Sequence, residues 1–231
     1  MKRYIIICPH KCGSVILKKI ISSVLSIDIK LDEYFNISTD SEKAELRFSR
    51  GLNFNVGESD CLIIIPRNPV SISISMFYSF GYTHPRIEHI HGSKKEFEAM
   101  QNSIINQGLD KYVLKTISKE CSKMKKLFDL ERSYKTILPY ELMVDSFSVF
   151  LQKLMKALDS SSRFDKTYSQ WAKSFDTIED RSELIEEGKI KPHKRTTDTA
   201  EWKKKLSAAN LELVLEKYPF IEEYNSFLEQ F

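Results

Sequence analysis

Two hundred and thirty-one residues suffice for one sizeable domain that buries its own core without metals or disulfides. A composition of 42% hydrophobic and 29% charged residues excludes a disordered chain. Thirty-five Lys+Arg against 32 Asp+Glu, +3 in all, argues against binding nucleic acid or another polyanion by bulk charge, so anion recognition has to be local. No apolar run approaches the ~20 residues of a membrane span, so no stable membrane insertion is expected. Only Tyr4 to Cys8 is apolar before Pro9-His10-Lys11, too short for a secretory leader. The opening therefore reads as a first buried strand, and the expected location is the cytoplasm.

In chain order, residues 3–8 (RYIIIC) have the β-branched, unbroken apolar character of a strand buried on both faces. Pro9 to Ser14 interrupts with a Gly-containing turn, and Val15 to Leu25 has helical apolar spacing. Asp60 to Pro66 (DCLIIIP) reads as a second buried strand, with Pro69 just inside the helix that follows. Helical stretches run over about 94–107 and 109–127. Thr136 to Tyr140 (TILPY) is a weaker third strand, followed by a helix near Val144–Leu158 carrying Phe147, Phe150, Leu151, Leu154 and Met155. The last third is Lys/Glu-rich and mostly helical. Its irregular stretch, Gly188 to Thr199, precedes a helical segment from about Glu201 to Lys217. With no internal repeat and no linker, the expectation is one α/β domain over 1–231. A central parallel sheet would be flanked by helices on both sides, with a helix-rich C-terminal third.

The four cysteines, Cys8, Cys12, Cys61 and Cys121, form no CxxC pair, so neither a disulfide framework nor zinc is expected. His84, His89 and His91 fall in a loop at a spacing that reads as solvated surface rather than a metal site. The loop Pro9-His10-Lys11-Cys12-Gly13-Ser14-Val15 is more informative. A turn between a buried strand and a helix N-terminus presents backbone N–H groups and the positive end of the helix dipole to phosphate or sulfate. Gly13 lets the backbone approach the anion, Ser14 offers a hydroxyl and Lys11 a positive charge. It is not a Walker A loop, because the lysine precedes the glycine. Arg67 ends the second strand at the edge where open α/β sheets bind ligands. Ser75, about two helical turns on, suits a second phosphate. The plain alternative is an ordinary strand–helix turn with a surface lysine, and an N-capping network beside a surface arginine.

Taken in order, these residues resemble the sulfotransferase family that uses 3′-phosphoadenosine 5′-phosphosulfate (PAPS). The family's 5′-phosphosulfate loop, P-K-S/T-G-S/T-T-W, is similar to Pro9-His10-Lys11-Cys12-Gly13-Ser14-Val15-Ile16. Its 3′-phosphate motif, an apolar strand then R-D/N-P and a serine eight residues beyond the arginine, is similar to Ile63 to Pro69 with Ser75. A third element resembles Ile137-Leu138-Pro139-Tyr140-Glu141-Leu142-Met143. The late loop R-x-G-x-x-G-x-W resembles Arg195 to Trp202. His10 is extra, Val15 replaces a threonine, Ile16 an aromatic, and Thr197 and Ala200 both glycines.

The resemblance implies a P-loop NTPase-like sulfotransferase fold and transfer of a sulfuryl group from PAPS to a hydroxyl or amine, releasing adenosine 3′,5′-bisphosphate (PAP). It implies that Lys11, Cys12, Gly13, Ser14 and Val15 hold the 5′ end and that Arg67, Ser75, Arg195 and Thr196 hold the 3′ end. Lys11 would neutralise charge on the departing oxygen, and no metal is required. The acceptor's base is left between Glu33 and His84, and the acceptor among small molecules, carbohydrates and lipids. A small-molecule kinase, or a nucleotide-binding module without activity, are the competing functions.

Overall fold

The computed structural model describes residues 2–51, 56–176, 178–189 and 196–231. In chain order its strands are β1 (Lys2–Ile7), β2 (Tyr34–Ser38), β3 (Lys43–Ser49), β4 (Cys61–Ile64) and β5 (Lys135–Ile137). The helices are α1 (Ser14–Leu25), α2 (Pro69–Tyr78), α3 (Glu88–His91), α4 (Lys94–Gln107), α5 (Leu109–Phe128) and α6 (Tyr140–Asp145). They continue with α7 (Phe147–Ala157), α8 (Phe164–Trp171), α9 (Ser182–Glu186), α10 (Trp202–Lys205), α11 (Ala208–Lys217) and α12 (Phe220–Leu228). These elements divide into two compact units: Met1–Arg67 with Met124–Asp176 and Gln230–Phe231, and Asn68–Lys123 with Thr177–Glu229.

The first unit holds one five-stranded sheet in the order β2-β3-β1-β4-β5. β1 pairs in parallel with β3 (Ile7↔Ser49) and with β4 (Ile7↔Ile64), and β4 pairs in parallel with β5. A strand with a partner on each side and both faces covered must be apolar throughout, and Tyr4, Ile5, Ile6 and Ile7 are fully buried. The fold class is α/β, with one correction: the sheet is mostly, not wholly, parallel, because β2 runs antiparallel to β3 at the edge. Sequence reading found neither strand. β3 (KAELRFS) buries Ala44, Leu46 and Phe48 and turns Lys43, Glu45 and Arg47 the other way. It alternates instead of forming an apolar run, with Glu45 within it. Asp60, almost fully buried, receives two 2.8 Å hydrogen bonds from Arg3 and one of 2.7 Å from the Gly57 N–H, so its burial is compensated.

α1 and α7 face the core of this unit with the 3.6-residue period the sequence shows. Leu17, Ile20, Ile21 and Val24 are buried in one, Phe147, Phe150, Leu151 and Leu154 in the other.

The second unit is helical among its described residues. Val70, Ile74, Phe77 and Tyr78 of α2 form its core with Tyr112, Val113, Ile117 and Cys121 of α5, joined by Trp202, Leu206, Val214 and Ile221. The helix expected over about 201–217 is two helices. Leu206 leaves the helical region (φ −86°, ψ 149°) to enter the core, and the Asp110 carboxylate accepts from Ser207 N–H and Asn210 Nδ2 at the start of α11. No helix among the described residues is long and apolar enough to cross a membrane.

Candidate functional site

Parallel strands finish at one edge of a sheet, and the first unit gathers four such ends: β1, β3, β4 and β5. The ladder continues past the strands. Cys8 N–H donates to Ser49 O (2.9 Å), Ile65 N–H to Ile7 O (2.8 Å), Leu138 N–H to Ile64 O (2.9 Å) and Tyr140 N–H to Pro66 O (2.8 Å). The residues next in line are therefore neighbours by register: the Pro9–Gly13 loop, Arg50, Arg67 and Tyr140.

The loop turns sharply. Cys12 N–H donates to Pro9 O (3.1 Å), and Lys11 and Gly13 both take left-handed conformations, φ 68° and 80°. Left-handed residues in such a turn aim successive N–H groups to one side, an arrangement suited to anions. α1 then begins with no side chain capping it and no acidic residue in its first turn, which leaves its positive end for an outside acceptor. Gly13 is required twice over: by its φ, and because a Cβ there would lie 2.6 Å from Met143 Cε and 3.0 Å from the Tyr140 ring.

Arg67 is 8% exposed; its Nη1 donates to the Lys11 carbonyl (2.8 Å), and its guanidinium lies 4.2 Å from the centre of the Tyr140 ring. The two motifs that the sequence sets 56 residues apart thus meet at a hydrogen bond. Burial, then the neighbouring Arg67 and Arg50 charges, bring the half-buried Lys11 ammonium down to about 8. Burial raises the Cys8 thiol well above its ordinary value, and its Sγ donates to the Cys12 carbonyl (3.2 Å), so Cys8 serves packing rather than nucleophilic chemistry. What the arrangement offers is positive charge and amide donors for an anion.

Of the residues singled out from sequence, Lys11, Cys12, Gly13, Ser14, Val15 and Arg67 belong to this locus. The Cys12 side chain is buried, Ser14 is 7% exposed and Val15 is 44% exposed. Glu33 is exposed in the turn before β2 and makes no hydrogen bond or ion pair among the described residues. The carboxylate fixed at the end of β3 is its neighbour Asp32 (φ 62°), which accepts from Ser49 Oγ at 2.5 Å and sits 3.8 Å from Arg47.

Ser75, His84 and Thr196 belong to the second unit. Ser75 is half-buried on α2, whose Ser71 and Ser73 are fully buried. His84 follows a π-helical turn (Ser79–Thr83), and its ring packs on Phe80 (5.1 Å) and His91 (5.2 Å). Thr196 Oγ1 accepts from Asp198 N–H (3.0 Å) and donates to Ile178 O (3.4 Å). Arg195 lies outside the described residues. Among the described residues, no group of three or more His, Cys, Asp or Glu is placed to hold a metal.

Sequence reasoning missed Arg50 because it missed β3; an alternating run ending in Ser-Arg-Gly was the available signal. Tyr140, within the stretch 137–143, carries no local signal of its contact with Arg67. Set against models of known protein families and against curated protein sequences, the chain matches none.

Proposed function

We propose that the chain is a PAPS-dependent sulfotransferase, acting on a hydroxyl or amine acceptor and releasing PAP. One observation carries the reading: the Arg67–Lys11 hydrogen bond, which joins the two resembling motifs at the carboxyl edge of a parallel sheet. The reading rests on the first unit alone.

In the proposed reaction the acceptor oxygen or nitrogen forms a bond to sulfur. The bond from sulfur to the bridging phosphate oxygen breaks, the electron pair stays on that oxygen, and the acceptor loses its proton. Negative charge grows on the departing oxygen, and fixed positive groups stabilise it most where water is scarce. Lys11, half-buried beside the Arg67 and Arg50 guanidinium groups, is suited to that charge. The amides of residues 12–14 are suited to the 5′ end. Arg67, positioned by the Lys11 carbonyl and the Tyr140 ring, is suited to the 3′-phosphate.

Calorimetry with PAP, and with ATP and magnesium, tests the reading, followed by transfer from radiolabelled PAPS across an acceptor panel. PAP is expected to bind at least about tenfold more tightly than ATP. Lys11→Ala is expected to retain the native circular dichroism spectrum and lose at least about a hundredfold in transfer. Tight magnesium–ATP binding with none to PAP would instead identify a kinase, and undiminished transfer by the Lys11 variant would remove its assigned role.

A further inference from the structure

We infer that Arg50 forms an acceptor subsite beside Lys11 and that the acceptor carries its own negative charge, a carboxylate or phosphate, near the group that receives the sulfuryl. This deepens the sulfotransferase reading and rests on it.

The placement follows from register. Ser49, the last residue of β3, stands opposite Ile7 of β1, and its carbonyl accepts from Cys8 N–H at 2.9 Å. Arg50 therefore leaves the sheet at the edge where Cys8 leads into the Lys11 loop. The turn that carries it is held: Ser49 Oγ reaches Asp32 Oδ1 (2.5 Å) and Gly51 O (2.9 Å) and accepts from Gly51 N–H (3.3 Å).

The cations on the two sides of β1 differ in kind. Arg67, after β4, is buried and engaged with the Lys11 carbonyl and the Tyr140 ring. Arg50, after β3, is exposed and makes no ion pair among the described residues. Asp32, the carboxylate at the end of the same strand, is engaged by Ser49 and Arg47.

Lys11, Arg67 and Arg50 are like charges, and both guanidinium groups lower the Lys11 ammonium. A donor held by Lys11 and Arg67 answers two of these charges. A neutral acceptor would leave the third unanswered at the open side, whereas an anionic one is drawn in and oriented by a forked guanidinium.

The test starts from PAP-saturated protein, titrated with glucose 6-phosphate and with glucose as a matched pair. Transfer from radiolabelled PAPS is then compared for 4-hydroxybenzoate and 4-hydroxybenzyl alcohol. The charged probe of each pair is expected to be favoured by about tenfold or more in the wild type, and Arg50→Gln to bring that preference close to one. Equal use of charged and neutral probes, or no binding of glucose 6-phosphate to the PAP-saturated wild type, overturns the inference. So does an Arg50→Gln variant whose main loss, tenfold or more, is in PAP affinity, since Arg50 would then be a donor ligand. Failure of PAP to bind the wild type strikes the sulfotransferase reading itself; failure of the anionic arms with PAP binding intact strikes only Arg50.

Discussion

Lys11 holds its charge against its surroundings. Burial and two guanidinium neighbours bring it down to about 8 from the ordinary 10.5. Near neutral pH it is still mostly an ammonium, so the free protein carries the cost of a desolvated, crowded cation. An anion that binds beside it repays that cost and pushes the ammonium back up. PAP binding should therefore take up a proton. The sign is fixed by the direction of the shift: at pH 6 Lys11 is protonated before and after binding and contributes no uptake. At pH 8 to 9 the free form is partly neutral and the bound form charged, so uptake rises toward one proton. Calorimetry in buffers of different ionisation enthalpy measures it, and Lys11→Ala should abolish the pH 8–9 uptake. Both Lys11 and Arg67 were legible in the sequence, because a lysine in a strand–Gly–helix turn and an arginine after an apolar strand are local patterns. Arg50 was not, since its place depends on a pairing between β3 and β1 that no local pattern announces.

Two helices leave their strands through different chemistry. α1 starts at Gly13 with no capping side chain. α2 starts at Asn68, whose side chain accepts from Val70 N–H (2.9 Å) and Ser71 N–H (3.3 Å) while its Nδ2 donates to Asn225 Oδ1 (3.1 Å). Two amides of α2 are thus satisfied by its own cap, whereas no side chain caps α1. Asn68→Ala removes the cap and the bond to α12 together, and should cost about 1–2 kcal/mol. A lower urea midpoint with unchanged slope would show it; an unchanged midpoint would mean that the cap contributes nothing. The Asn-Pro start of α2 was readable, as were α4 and α5, whose apolar spacing repeats over several turns. β2 and β3 were hidden by alternation with charged residues. The break at Leu206 was hidden because only the core it enters explains it.

Across the molecule, what the sequence conveyed best was class: unbroken apolar strands followed by amphipathic helices predict a parallel sheet wherever they occur. The division into two units was out of reach, because each unit is assembled from segments far apart in the chain. One tie within the first unit shows the same distance effect and makes a measurable difference. The β2–β3 turn and the segment between α7 and α8 exchange bonds over roughly 120 residues of chain. Thr39 Oγ1 and Ser41 N–H donate to Asp159 Oδ2 (3.0 and 3.2 Å), and Ser162 N–H and Oγ donate to the Asp40 carboxylate (2.9 and 2.5 Å). Hydrogen bonds from Ser162 hold Asp40 below the usual carboxylate range, and those from Ser41 and Thr39 do the same for Asp159. A carboxylate depressed by folding stabilises the native state above its unfolded pKa and loses that contribution as pH falls through the folded value. The tie is therefore whole at pH 7 and begins to weaken as pH falls below about 4. Asp159→Ala should lower the urea midpoint at pH 7, with the gap to wild type narrowing between pH 4 and pH 2. A gap that stayed constant across that range would assign the loss to packing rather than to the charged carboxylate.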